Sequence, residues 1–208
     1  MSAADTLAVI RKPSCRRSHK AARAAAQGYW QLVAAGEPFR LLFPLGAVIG
    51  IIGVMMWPLF VWKITPVYPG TAHARIMIEG FLACFVTGFL GTALPRLLGV
   101  PKVTIYETLG FGGALAWTAW LHWSGRTIWG DLTFFCTVFT LVFLLGVRTL
   151  FRQDTPPPAF VLVAMGLLSA VMGSFGLAVS QAAPGMVPVW VMPFAKLLLN
   201  QGFILLPV

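Results

Sequence analysis

The chain has 208 residues, 58% of them hydrophobic and 10% charged. Soluble domains carry roughly 25% charged residues, so a water-soluble globular fold is excluded. Fifteen Lys and Arg against six Asp and Glu give a formal charge of +9, and six of the basic residues lie between Arg11 and Arg23; this fits a cytoplasmic flank on anionic lipid and argues against a nucleic-acid partner.

The expected class is all-α: a polytopic transmembrane helical bundle of five to six spans, in a lipid bilayer, with the N-terminus cytoplasmic. Residues 1–40 form a basic cytoplasmic region. They lack the short apolar core and small-residue cleavage site of a secretory signal, and Tyr29 and Trp30 suit an interfacial helix. Residues 41–208 form the transmembrane domain. A helix needs about 20 mainly apolar residues to cross a bilayer core, and five runs qualify, near 41–64, 76–98, 104–122, 128–150 and 159–180. The links TPVYPG, GVPK, WSGR and QDTPPP carry turn chemistry.

Alternating the links between two sides puts eleven basic residues with the N-terminus and only Lys63, Arg75 and Arg126 opposite, with Lys196 unassigned. The positive-inside rule therefore places the N-terminus in the cytoplasm. Trp117, Trp120, Trp123 and Trp129 gather at the outer end of the third and fourth spans, at headgroup depth. Near the end of the chain, Pro188, Pro193 and Lys196 disfavour a helix from Met186. The last span is expected near 194–208 and cut short, as in the N-terminal part of a longer protein. Cys15, Cys84 and Cys136 form no metal-binding or disulfide pattern.

The second span, HARIMIEGFLACFVTGFLGTALPRLLG from His73 to Gly99, says most. At 100° per residue, His73, Met77, Gly80, Cys84, Thr87, Gly88, Gly91 and Pro95 share one stripe. The small residues let another helix or a flat ligand come close to the backbone. Arg75 and Glu79 lie on the other side as an i, i+4 pair: either an interfacial salt bridge or an anion-holding arginine steadied by its glutamate. His73 with Met77 offers nitrogen and thioether, a set suited to haem or copper, and a hydrogen-bonded boundary histidine is the plainer reading. His122 is expected at the same outer depth and able to meet His73. His19, in the basic tail, is on the opposite side.

This segment resembles the second helix of the NnrS proteins, which runs approximately HAHEMxFGF, six further residues, then GFLxTAxPxxxG. His73, Ala74, Met77, Gly80, Phe81, Gly88, Phe89, Leu90, Thr92, Ala93, Pro95 and Gly99 fall in register. EPFRLLFPLG and LLLNQGFILL look like the openings of the family's first helix and of a later one. Arg75 and Ile76 stand where the family has its second His and following Glu, and Glu79 replaces an aromatic residue. The resemblance implies a multi-pass protein of the bacterial inner membrane that binds haem, or less readily copper, and responds to nitric oxide. Members have about twice this many spans, so it implies an N-terminal half. It further implies His73 as metal ligand, Met77 or His122 as the second axial group, Arg75 near a propionate, and Gly80, Gly88 and Gly91 permitting close approach. Two other classes stay open: a transporter or channel half with a polar path near Glu79, Glu107 and Lys196, and a cofactor-free assembly protein. Hydrolytic and phosphoryl chemistry lack a nucleophile and base pair, a Gly-rich phosphate loop and a dense carboxylate cluster.

Overall fold

A computed structural model describes residues 28–154 and 157–205. The basic run from Arg11 to Arg23, Cys15 and His19 lie outside the described residues. Among the described residues seven helices follow in chain order: α1 (Tyr29–Ala34), α2 (Phe39–Val61), α3 (Gly70–Leu98), α4 (Ile105–Trp123), α5 (Thr127–Thr149), α6 (Phe160–Ala182) and α7 (191–205). Among the described residues all regular structure is helical.

Among the described residues four helices, α2, α3, α5 and α6, are long and apolar enough to cross a membrane. Helix α4 has 19 residues but is less apolar, because Tyr106, Glu107, Thr118 and His122 interrupt its run. Their outward faces are greasy: Val48, Ile51, Val54, Phe139, Phe143, Val161 and Met172 are each more than half exposed. So large an apolar exterior belongs in lipid.

The links end helices by recognisable chemistry. Gly99 closes α3 in the left-handed conformation (φ 64°), with the Val100 N–H bonding back to the Pro95 carbonyl. Thr104 and Glu107 form a reciprocal capping box at the start of α4. Between α4 and α5, Gly125 (φ 76°) makes a turn so short that only Ser124, Gly125 and Arg126 separate the two helices. Two helix starts differ from expectation. Helix α3 begins at Gly70, immediately after Pro69, so the run expected from residue 76 starts two turns earlier and His73 and Arg75 stand within it. Helix α7 begins at Val191 with Pro193 in its first turn, where a missing N–H costs no helical bond, and Lys196 is exposed.

Helix α3 is the centre of the bundle. In its apolar window 61% is buried, against 28–39% in the other three spans. It packs on α2, α4 and α5, while α6 lies between α5 and α7. The α2–α3 seam is close because both helices contribute small residues. A Cβ added to Gly46 would meet Cys84, one on Gly50 would meet Phe81, and one on Gly53 would meet Ile76 and Met77. From the other side, a Cβ on Gly80 would fall 2.7 Å from Ile49, and one on Gly88 would fall 3.1 Å from the Phe39 backbone. The small stripe expected on α3 is thus filled by helix α2, whose own Gly46, Gly50 and Gly53 complete the fit.

One end of the bundle is tied by ion pairs. Glu37 bridges Arg40 and Arg96, Glu107 bonds Arg148, and Lys102 reaches the Ala35 carbonyl. The Tyr29 hydroxyl donates to the Arg40 carbonyl, fastening α1 to α2. Up-and-down connectivity sends the remaining links to the opposite end, where the second polar group lies.

Candidate functional site

Four helices bring polar side chains together at that opposite end. Helix α3 supplies Arg75 and Glu79 from its first turns, α4 supplies His122 from its last turn, α5 supplies Asp131 from its second turn, and α6 supplies Gln181 from its last. The three-residue link around Gly125 fixes His122 beside Asp131. Glu79 lies in a π-helical stretch, Ile76–Leu82, that interrupts α3; such widened turns recur at functional sites.

Every member is hydrogen-bonded. Arg75 Nη1 donates to Glu79 Oε1 and to Asp131 Oδ1, each at 2.6 Å. His122 Nε2 lies 2.9 Å from Glu79 Oε2 and 3.9 Å from Asp131 Oδ1. Gln181 Nε2 donates to Asp131 Oδ2 at 2.6 Å, and Thr127 Oγ1 donates to Gln181 Oε1 at 2.7 Å. The Glu79, His122 and Asp131 side chains are fully buried and that of Arg75 is 8% exposed. A carboxylate oxygen accepts, so His122 Nε2 carries the proton of that bond. The other ring nitrogen, Nδ1, is buried without a partner. The imidazole rests against Gly130, where an added Cβ would come 2.4 Å from Cε1.

Glu79, His122 and Asp131 offer ligand atoms within 4.8 Å of one another, a spacing that could hold a metal ion. Arg75 already supplies the cation, since its Nη1 bridges both carboxylates. The same pairing commits Arg75 to the interior.

His73 sits elsewhere. Its Nδ1 is 2.9 Å from the Gly53 carbonyl of α2, and its ring meets Trp57 edge-on. A carbonyl only accepts, so Nδ1 donates and the neutral ring keeps its lone pair on Nε2. The Met77 sulfur lies against the same Gly53, 3.1 Å from where a Cβ would stand. His73 and Met77 therefore share a face and a neighbour, while His122 has Glu79 as its partner. A cleft of about 530 Å³ opens nearby, lined by Met56, Leu59, Tyr68, Ala72, Trp120, His122 and Trp123 among others. Its Tyr68 packs on Trp57, which packs on His73. Gly80, Gly88 and Gly91 lie along the seam with α2 and its approach, facing Ile49, Phe43 and Pro38.

Residues 34–206 match the family model described as NnrS protein. The chain belongs to the NnrS family. No curated protein and no solved structure gave a match.

In this NnrS-family membrane protein, the three positions that depart from the family's second-helix pattern have separate fates. Arg75 and Glu79 enter the buried polar group, and Ile76 is fully buried against Gly53. Sequence reasoning passed over Asp131 and Gln181. The available signal for Asp131 was a lone acid in the apolar run from Ile128 to Leu150, because an ionisable residue within a span marks a partner or a path.

Proposed function

We propose that this chain is a multi-pass protein of the bacterial inner membrane, N-terminus in the cytoplasm, that binds haem through His73 and acts in the nitric oxide response. The observation that carries the reading is the state of His73. Histidines that ligate metals nearly always donate their second ring N–H to a carbonyl or carboxylate, which fixes the tautomer and the ring plane. The Gly53 carbonyl at 2.9 Å has that relation to His73 Nδ1 and leaves Nε2 free to ligate.

The residues fit such a group on the donor side. Met77 gives a thioether beside the imidazole, matching the His/Met pairing that suits haem iron and copper. An aromatic and aliphatic cleft opens beside Ala72, next to His73 in the chain, with neither His73 nor Met77 in its lining. The glycine stripe gives no such room, because α2 occupies it. Arg75, held by two carboxylates, is not a propionate partner in this arrangement. When bound, the haem would supply an iron centre able to take nitric oxide. Of the chain's own residues, Gly53 orients the imidazole, Trp57 holds its edge, and Tyr68, Trp120 and Trp123 line the cleft. The bias of basic residues toward the end carrying Arg40, Arg96, Lys102 and Arg148 supports the cytoplasmic N-terminus.

The test is the absorption spectrum of detergent-purified protein produced with haem supplied. A Soret band is expected that is lost in His73→Ala and shifted in Met77→Ala. A colourless, metal-free preparation overturns the reading.

A further inference from the structure

At the ion-paired end of the bundle the cations are unequally committed. Arg40 and Arg96 bond Glu37, Arg148 bonds Glu107, and Lys102 donates to the Ala35 carbonyl. Arg152, in the link after α5, is exposed, and its guanidinium has no acid or carbonyl partner among the described residues. Asp154, two residues on, is exposed as well and forms no ion pair with it. The Gln153 N–H donates to the Leu98 carbonyl at 3.0 Å, which pins this link to the end of α3.

Arg152 stands at the edge of a groove of about 290 Å³ between α3, α5 and α6, and it is the one charged residue in the lining. The α3 wall runs from Leu90 to Leu98, about 12 Å of helix axis. That is most of the roughly 15 Å that one leaflet contributes to a bilayer core. Leu90, Leu98 and Leu167 are buried in the depth of the groove, while Gly146 and Ala164 are exposed along it. Gly146 keeps its middle open: an added Cβ would meet nothing within 4 Å, whereas one on Gly46, Gly50 or Gly53 would meet α3. Hydrocarbon along the walls and a cation at one end define an amphipathic ligand with an anionic head.

We propose that the groove holds an acyl chain of an anionic phospholipid from the leaflet at the ion-paired end, with the lipid phosphate on Arg152. The guanidinium fork matches phosphate oxygens two at a time, and its long stem carries the charge to headgroup depth. Basic pockets between spans select anionic headgroups for the same reason. A zwitterionic lipid fills the groove equally well but brings its own cation towards Arg152, so the selection is for net charge. The groove of about 380 Å³ beside Gly110, between α4 and α5, has no such selectivity: its charged residue is Glu107, already bonded to Arg148.

Native mass spectrometry of the full chain, released from nanodiscs of equal phosphatidylglycerol and phosphatidylcholine with matched chains, tests this. The wild type is expected to retain phosphatidylglycerol with about five-fold preference, the weight of one basic residue at an anionic surface. Arg152→Gln should bring the two lipids to near equality, and Arg126→Gln, an exposed cation at the opposite end, should leave the preference intact. Gly146→Leu, which puts a side chain into the groove without a clash, should lose the retained lipid of either kind. An Arg152→Gln protein that keeps the preference overturns the proposal, as does a Gly146→Leu protein that retains lipid like the wild type. Protection against heat by glycerol 3-phosphate equal to that by phosphatidylglycerol also overturns it, because a free anion would then be the ligand. So does a wild-type chain released as a lipid-free dimer, in which a second copy covers the groove.

Discussion

Replacing Arg75 by Met keeps much of the side-chain length and removes the only cation among three buried groups. Two contacts of 2.6 Å disappear together. Glu79 and Asp131 are then left facing each other, with the His122 and Gln181 N–H groups as their remaining donors. Breaking a buried pair by deleting one partner costs about 3–5 kcal/mol, because the remaining charge has no counter-ion. For a chain of this size about 2–4 °C of melting temperature is lost per kcal/mol, so a fall of about 6–20 °C is expected. The assay is thermal unfolding of the purified protein in detergent, followed by circular dichroism and by size-exclusion chromatography after each step. The charge argument makes a second demand: Arg75→Met combined with Asp131→Asn should recover a large part of the loss, since it removes the uncompensated carboxylate. If the double variant is less stable than Arg75→Met by the full additive amount, or if Arg75→Met melts within 2 °C of the wild type, the cluster is not held by charge balance.

Three further outcomes are expected. Gly130→Ala places a methyl 2.4 Å from the His122 ring, which must swing away from Glu79; overpacking of this kind costs about 1–3 kcal/mol, and unfolding together with nitrogen NMR of the His122 ring checks it. Gly80→Ala puts a Cβ 2.7 Å from Ile49 Cγ2 and should destabilise by about 1–3 kcal/mol, with Ile49→Ala, which removes that carbon, restoring part of the loss in the double variant. At the ion-paired end, the Arg40 hydrogen bond, with further help from Arg96, holds Glu37 below its ordinary value of 4.5 against the opposing effect of burial. A carboxylate whose folded value is depressed stabilises above the unfolded value and loses that contribution as pH falls through the folded one. Glu37→Gln should therefore narrow the wild-type stability difference between pH 6 and about pH 3, by no more than the roughly 0.2–1 kcal/mol of a partly exposed pair.

The helices were legible because lipid imposes one requirement, a long apolar run, that needs no knowledge of neighbours. Pro and Gly marked the links for an equally local reason. The small stripe on α3 was legible as a surface for close approach, yet what approached it was decided by Gly46, Gly50 and Gly53 on another helix. Arg75 and Glu79 could be paired from their spacing. Their depth could not, because it depends on α4, α5 and α6 closing over them. Asp131 lies 56 residues from Arg75, and no periodic pattern links the two. His122 was placed at the correct end of the bundle by counting spans, but its partner, Glu79, came from the packing of α4 on the π-helical stretch of α3. His73 shows the converse: its face with Met77 was readable, and the carbonyl that fixes its tautomer was not.

Helix α3 also sets an order of events during synthesis. It is the most deeply enclosed span and the one carrying a buried arginine, and Asp131, the second partner of that arginine, leaves the ribosome 56 residues later. At roughly 5–20 residues per second that is a wait of about 3–11 s. Through that interval Glu79, one helical turn away, is the counter-charge that pairs with the arginine, so the pair is expected to enter the bilayer as a self-neutralised unit before α5 arrives. Glu79→Gln should consequently lower the fraction of nascent chains in which α3 inserts, measured by glycosylation mapping, even in chains truncated before Asp131. Equal insertion of the two truncated chains would show that the arginine needs no escort.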